Sequence, residues 1–125
     1  MLEHDGVLSW YSALPQDQPN RFLGITVENK KLFKSLSIEE KCALRWLSHK
    51  KEIFWLKELL SDRLFLVKYD DFLVNPEPCL NEVSNFLGIE NTFSPEKFRI
   101  ESLNKWKKNL SSEQLKNIRA MIEAS

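Results

Sequence analysis

The clearest pattern along the chain is helical. Apolar residues recur at Ile38, Cys42, Trp46, Ile53 and Leu60, with Ala43, Leu47, Phe54 and Leu56 widening the stripe, which is the spacing of a helix that turns one face to a core. Ser37 followed by Glu40 is a capping box, in which hydroxyl and carboxylate each satisfy an orphan amide of the first turn. The spacing predicts a helix from Ile38 to Leu60, roughly 35 Å long at 1.5 Å per residue, ended by Ser61 and Asp62. Asn75 before Pro76 marks a second helix start. Leu80, Val83, Phe86 and Leu87 form its apolar face, and Gly88 closes it. Ser111 with Gln114 is another capping box, and Leu110 is spaced to staple onto Leu115. The buried face of that last helix is expected to be Leu115, Ile118 and Ile122.

Leu64 to Val67 breaks the helical period. Four consecutive apolar, mostly β-favouring residues predict a short strand buried on both faces, as in a parallel sheet. No second segment carries that pattern, so the chain is expected to be mostly α with one buried strand. An open apolar strand edge predicts self-association. Residues 1–36 carry scattered Trp10, Tyr11, Pro15, Pro19 and Gly24 without a sustained period, which predicts an irregular connecting segment with a short helix near Glu28 to Leu36.

Composition narrows the function classes. The chain has 125 residues, with 18 basic and 18 acidic side chains and no net charge, which argues against a nucleic-acid binder with a broad basic footprint. The exception is local: residues 97–108 hold five basic residues and one acidic. The three glycines, Gly6, Gly24 and Gly88, lie too far apart to build a glycine-rich phosphate loop. The longest apolar runs are four residues, far short of the roughly 20 that span a bilayer. Cys42 and Cys79 lack a second cysteine or histidine at ligand spacing, so neither zinc nor a disulfide framework is expected. Reduced thiols and the lack of a leader pattern predict a cytoplasmic protein.

Val67-Lys68-Tyr69-Asp70-Asp71-Phe72, then Asn75-Pro76-Glu77, then Phe86-Leu87-Gly88 resembles the C-terminal half of the sulfotransferases that use 3′-phosphoadenosine 5′-phosphosulfate (PAPS). There a buried strand ends in a Tyr-Glu-Asp-like triplet and the following helix closes at Phe-Leu-Gly. A second block, Arg99-Ile100-Glu101-Ser102-Leu103-Asn104-Lys105-Trp106-Lys107, is similar to the family's Arg-Lys-Gly-x-x-Gly-Asp-Trp-Lys and keeps its Arg, Trp and final Lys in register. Glu101 and Asn104 replace both family glycines, and Leu103-Asn104-Lys105-Trp106 is closer to the looser Leu-Ser-Lys-Trp form of bacterial and Golgi-type members. The resemblance covers about residues 41 to 123.

The resemblance implies an α/β fold related to nucleotide kinases, a parallel sheet with helices on both faces, and sulfuryl transfer from PAPS to an acceptor hydroxyl or amine. The acceptor class stays open between small molecule, glycan and peptide. It nominates Tyr69 to border the adenine, Arg99 with the adjoining positions Ser102 and Asn104 to hold the 3′-phosphate, and Lys105 and Lys107 to add positive potential. The family's 5′-phosphosulfate loop, its mid-fold Arg-Ser pair, its catalytic lysine and its acceptor-activating His or Glu have no counterpart here. The chain thus reads as one partial domain, with residues 37–125 as the C-terminal half of a sulfotransferase-like domain that is inactive alone. No metal is implied.

Plainer readings stand beside these. Tyr69 fits a core or boundary aromatic, and the lysines of 105–108 fit a solvated face. Asp70 and Asp71 fit helix N-terminal charges, His49 a solvent-facing or core-edge residue, and Ser111 a cap. Trp10, Trp46 and Trp55 are expected in the core, and Cys42 and Cys79 as small hydrophobes. The alternative function is a stand-alone helical interaction module that docks a partner on its aromatic-rich long helix. The doubly apolar run Leu64 to Val67 separates the two, because a self-sufficient helical domain has no use for it.

Overall fold

The computed structural model of the chain describes residues 12–91, 93 and 100–125. It divides into two compact units, 1–54 with 112–125, and 55–111. The order of elements is α1 (Lys30–Phe33), α2 (Ile38–Leu60), a 3-10 turn (Ser61–Arg63), α3 (Tyr69–Val74), α4 (Pro76–Leu87), a second 3-10 turn (Ile100–Asn104), α5 (Lys105–Asn109) and α6 (Ser112–Glu123). Among the described residues no strand forms beyond a single antiparallel bridge between Asn20 and Ile25.

The first unit is organised by a segment whose sequence pattern says least. Asn20 and Ile25 exchange both backbone hydrogen bonds at 2.9 Å, and the Asn20 Oδ1 accepts the Leu23 N–H inside the loop they close. Thr26 and Asn29 cap each other's amides, and the Asn29 amide donates to the Gly24 carbonyl. This tight loop and α1 bring Leu23, Ile25 and Phe33 together at 0–3% exposure, with Leu14, Phe22, Leu36 and Leu44 packed around them. Residues 1–36 are therefore more than a connection: their described part supplies the best-buried apolar side chains.

Gly24 makes that packing possible. Its φ is +79°, and a Cβ at that position would lie 2.8 Å from the Arg45 nitrogen and nearer still to the Leu44 carbonyl. Only glycine lets loop and helix backbones meet this closely. Ser48 Oγ–H donates to the Arg21 carbonyl at 2.7 Å, His49 Nε2 lies 3.3 Å from the Phe22 carbonyl oxygen, and the Arg45 guanidinium sits 4.0 Å from the Phe22 ring centroid. His49 is exposed at the core edge, as its isolation in the sequence implies.

Helix α2 starts as its capping box dictates. The Ser37 N–H donates to Glu40 Oε2 at 2.7 Å, and the Glu40 N–H donates to Ser37 Oγ. The expected buried stripe is turned inward only in part, however. Ile38, Trp46 and Ile53 are 53%, 50% and 44% exposed and Cys42 is exposed, while the turned-in residues are Ala43, Leu44 and Leu47. Apolar residues lie all round this helix, so periodicity alone does not choose a face; the close approach at Gly24 does. Trp55 is also exposed, and Lys50 Nζ lies over the Trp46 ring. Two of the three tryptophans expected in the core are thus at the surface, and Trp10 lies outside the described residues. In the same unit α6 is tied to α2 by the Asn117 side-chain amide, which donates to Glu39 Oε1 at 3.1 Å.

In the second unit, Leu64 and Lys68 bound an extended stretch (φ −119°, ψ 122° and φ −80°, ψ 125°). The expected buried strand is not formed: Leu64 and Phe65 are half-buried, and Leu66 and Val67 are 46% and 45% exposed. The physical reason is that a strand is a paired object, and no described residue pairs with this one. Asp70 and Asp71 sit in the first turn of α3, where the helix dipole favours negative charge. Asn75 occupies the N-cap of α4 with Pro76 at its first position, although the Asn75 side chain makes no cap hydrogen bond. Gly88 closes α4 in the left-handed conformation, with Ile89 N–H to the Ser84 carbonyl and Gly88 N–H to that of Asn85, a Schellman motif. The apolar face of α4 is only partly covered: Phe86 is 41% and Leu87 55% exposed, and Phe86 stacks on Phe65 with centroids 5.3 Å apart.

The two glycines make a matched test. Gly88→Ala meets open space and is expected to cost about 1 kcal/mol for its left-handed backbone. Gly24→Ala adds a steric collision with backbone and is expected to cost about 3 kcal/mol or more; urea midpoints of the two variants check this ordering.

The carboxyl of Glu39 is held below the ordinary carboxylate range, first by its own backbone N–H and then by the Asn117 amide. Its contribution to stability is present at neutral pH and is lost as pH falls through that lowered native value. Asn117→Ala is expected to raise the pH at which Glu39 titrates, read from its side-chain carboxyl carbon by NMR.

Candidate functional site

The residues nominated from the sequence lie within unit 55–111. Tyr69 is the first residue of α3 and is 63% exposed, so it is neither a core aromatic nor the end of a paired strand. Its ring is open to a ligand. The second block forms the 3-10 turn Ile100–Asn104 running into α5. Ser102 and Leu103 are half-buried in that turn, and Asn104 occupies the N-cap position of α5 without a side-chain cap bond.

Lys105, Lys107 and Lys108 are exposed on the five-residue α5, and none makes an ion pair among the described residues. Trp106 between them is 46% exposed, and Lys107 Nζ lies 5.5 Å from its ring centroid. The one nearby carboxylate on the turn is Glu101, also exposed. Arg99, the nominated contact for the 3′-phosphate, lies outside the described residues.

Although about thirty positions separate them in sequence, α3 and the 3-10 turn Ile100–Asn104 pack against each other. Leu73, on α3, is 4% exposed, the most buried apolar side chain described in this unit. The fold thus brings the helix headed by Tyr69 beside the turn that carries Ser102 and Asn104.

Beside Tyr69, a cleft of about 150 Å³ is lined by Phe65, Leu66, Val67, Lys68, Asp71, Cys79 and Glu82. It is smaller than the 300–1,000 Å³ usual for a ligand site, and it carries two carboxylates against one lysine. This hollow by itself suits no polyanionic ligand. The sequence reading gave Lys68 and Cys79 no place in a cleft. The available signal was the one-turn spacing of Cys79 and Glu82 on α4, opposite an extended run. Cys42 is exposed and Cys79 half-buried, and both are free thiols; exposure of Cys42 departs from the small-hydrophobe expectation.

Among the described residues no cluster of His, Cys, Asp and Glu could hold a metal, and no described helix is long and apolar enough to cross a membrane. The family model described as the sulfotransferase domain matches residues 5–125. No curated protein and no solved structure matches the chain.

Proposed function

The chain belongs to the sulfotransferase domain family, and from that membership we propose that it provides the donor-nucleotide side of sulfuryl transfer from PAPS to an acceptor hydroxyl or amine. In that reaction the bridging S–O bond to the 5′-phosphate breaks as an S–O or S–N bond to the acceptor forms. The acceptor proton is lost, and 3′-phosphoadenosine 5′-phosphate leaves. The observation that carries the reading is the packing of α3 against the turn Ile100–Asn104. Tyr69 heads that helix with its ring exposed, and the exposed lysines of α5 follow that turn; an aromatic ring and basic side chains are the residue types that suit an adenine nucleotide with a 3′-phosphate.

The residues fit such a ligand in kind. Tyr69 borders the adenine; Arg99, with the backbone at Ser102 and Asn104, holds the 3′-phosphate; Lys105 and Lys107 raise the local potential. A guanidinium meets phosphate through two parallel charge-assisted hydrogen bonds. The chain's part is positioning and charge neutralisation, and the groups that stabilise the transferring sulfuryl lie outside these residues. On this reading the chain is the C-terminal half of one domain and is cytoplasmic. Its partners are PAPS and a small-molecule, glycan or peptide acceptor, with no nucleic acid and no membrane.

A second reading, a helical interaction module, is favoured by the exposed Trp46, Ile53 and Phe54 of α2. It assigns no role to the contact between α3 and the 3-10 turn.

Two expected outcomes follow from the nucleotide reading. The chain alone is expected to transfer no label from PAPS to phenols, amines, sugars or tyrosyl peptides; turnover abolished by a substitution within it would overturn the assignment of chemistry elsewhere. Hydrogen bonds to charged groups contribute roughly 1.5–3 kcal/mol, so Arg99→Ala is expected to weaken 3′-phosphoadenosine 5′-phosphate about ten- to a hundredfold. It should leave adenosine 5′-phosphate nearly unchanged. Calorimetric titration of both nucleotides against native and variant chain, supplemented with the missing half where affinity requires it, closes the cycle. Equal weakening of both nucleotides, or of neither, assigns Arg99 to a solvated face.

A further inference from the structure

Between the loop of residues 21–29 and α2, the first unit holds a hollow of about 320 Å³, within the range of about 300–1,000 Å³ usual for small-molecule sites. Its inner lining is apolar: Ile25 is buried, and Leu44 and Leu47 are half-buried. The neutral polar groups around it are already engaged. Ser48 Oγ–H donates to the Arg21 carbonyl, the Asn29 side-chain amide donates to the Gly24 carbonyl, and Thr26 Oγ1 accepts the Asn29 N–H. What remains for recognition is charge.

Arg21, Glu28 and Lys51 are the charged side chains of the lining. Arg21 faces Glu52 of α2 at 3.8 Å. Glu28, on the loop side, and Lys51, on the helix side, are both exposed, and neither makes an ion pair with the other or with any described residue. The Thr26 hydroxyl, and then its own backbone N–H, hold the Glu28 carboxyl below the ordinary carboxylate range, so it is an anion at neutral pH. A simple anion entering the hollow meets Glu28, and a simple cation meets Lys51 and Arg21; each encounters a like charge. A molecule that carries both charges on an apolar body meets neither conflict.

We propose that this hollow binds a small apolar zwitterion of the amino-acid type, with its carboxylate at Lys51, its ammonium at Glu28 and its apolar body on Ile25, Leu44 and Leu47. The proposal does not rest on the nucleotide reading, whose residues lie in the other unit. L-Phenylalanine is the probe, titrated into the full chain and followed by amide chemical shifts. Saturable changes are expected at Gly24, Ile25, Leu44 and Leu47.

An exposed ion pair accounts for roughly two- to fivefold in affinity, so Lys51→Met and Glu28→Gln are each expected to weaken phenylalanine by that factor. Both side chains are exposed, and far-UV circular dichroism checks that the variants keep their helices. Derivatives identify the two ends. Phenylalaninamide lacks the carboxylate and should bind native chain and Lys51→Met alike, whereas N-acetylphenylalanine lacks the ammonium and should not distinguish native chain from Glu28→Gln. No saturable change at the four amides, or changes confined to the exposed aromatics of α2, overturns the proposal. Binding that both substitutions leave unchanged overturns it as well. Weakening by one substitution alone also overturns it, because the ligand then needs a single charge, and so does equal weakening of phenylalanine and both derivatives, which assigns the effect to shape.

Discussion

Burial in the first unit turns on the approach of the Gly24 backbone to the Leu44 carbonyl. Everything well buried in the first unit depends on it. With a side chain at Gly24 the loop would stand off α2, and Leu23, Ile25 and Phe33 would lose the helix that roofs them. The loop is held at that distance by several modest bonds: the Asn20–Ile25 bridge, the Thr26–Asn29 pair, and the hydroxyl of Ser48 on the Arg21 carbonyl. Each is worth little alone. Together they decide which face of α2 is inside.

The second unit is built under the opposite condition. Its helices are correctly started and stopped, yet its apolar faces are only partly covered. Leu73 and Ser84 are the described side chains that reach full burial, whereas Tyr69, Leu87, Ile100 and Trp106 remain open. Caps and helix ends are local: a Schellman turn at Gly88 needs only residues within one turn. A buried strand is nonlocal and needs neighbours on both edges. The chain satisfies the first kind of requirement, and among the described residues the second is unmet. The same openness leaves Tyr69 and the lysines of α5 exposed. Surface that serves recognition is surface that has not been spent on the core.

Legibility from sequence follows this division. Ser37 and Glu40 announced the start of α2 because a capping box involves four consecutive residues. Gly88 announced the end of α4 for a similar reason. Tyr69 and the block from Ser102 to Lys107 could be nominated from a motif, but the packing of α3 against the turn Ile100–Asn104 could not, since about thirty residues intervene. Trp46 and Ile53 read as core because they are apolar and well spaced, and they are exposed because α2 is apolar on more than one side. The segment from Asn20 to Asn29, ahead of the expected short helix, read as irregular because its order rests on side-chain–backbone bonds and one positive φ, neither of which leaves a period.

The sequence by itself determined where α2 and α4 begin and end and where α6 begins, that Leu64 to Val67 would be extended, and that residues 97–108 concentrate positive charge. These are consequences of steric preference, capping chemistry and charge, which act over a few residues. Tertiary structure alone decided which face of α2 is buried, that the extended segment lacks a described partner, and that α3 meets the turn carrying Ser102 and Asn104. Those outcomes depend on the distance between backbones far apart in the chain. That distance is set at one place by the missing side chain of Gly24, and at the other by the packing of α3 against the 3-10 turn.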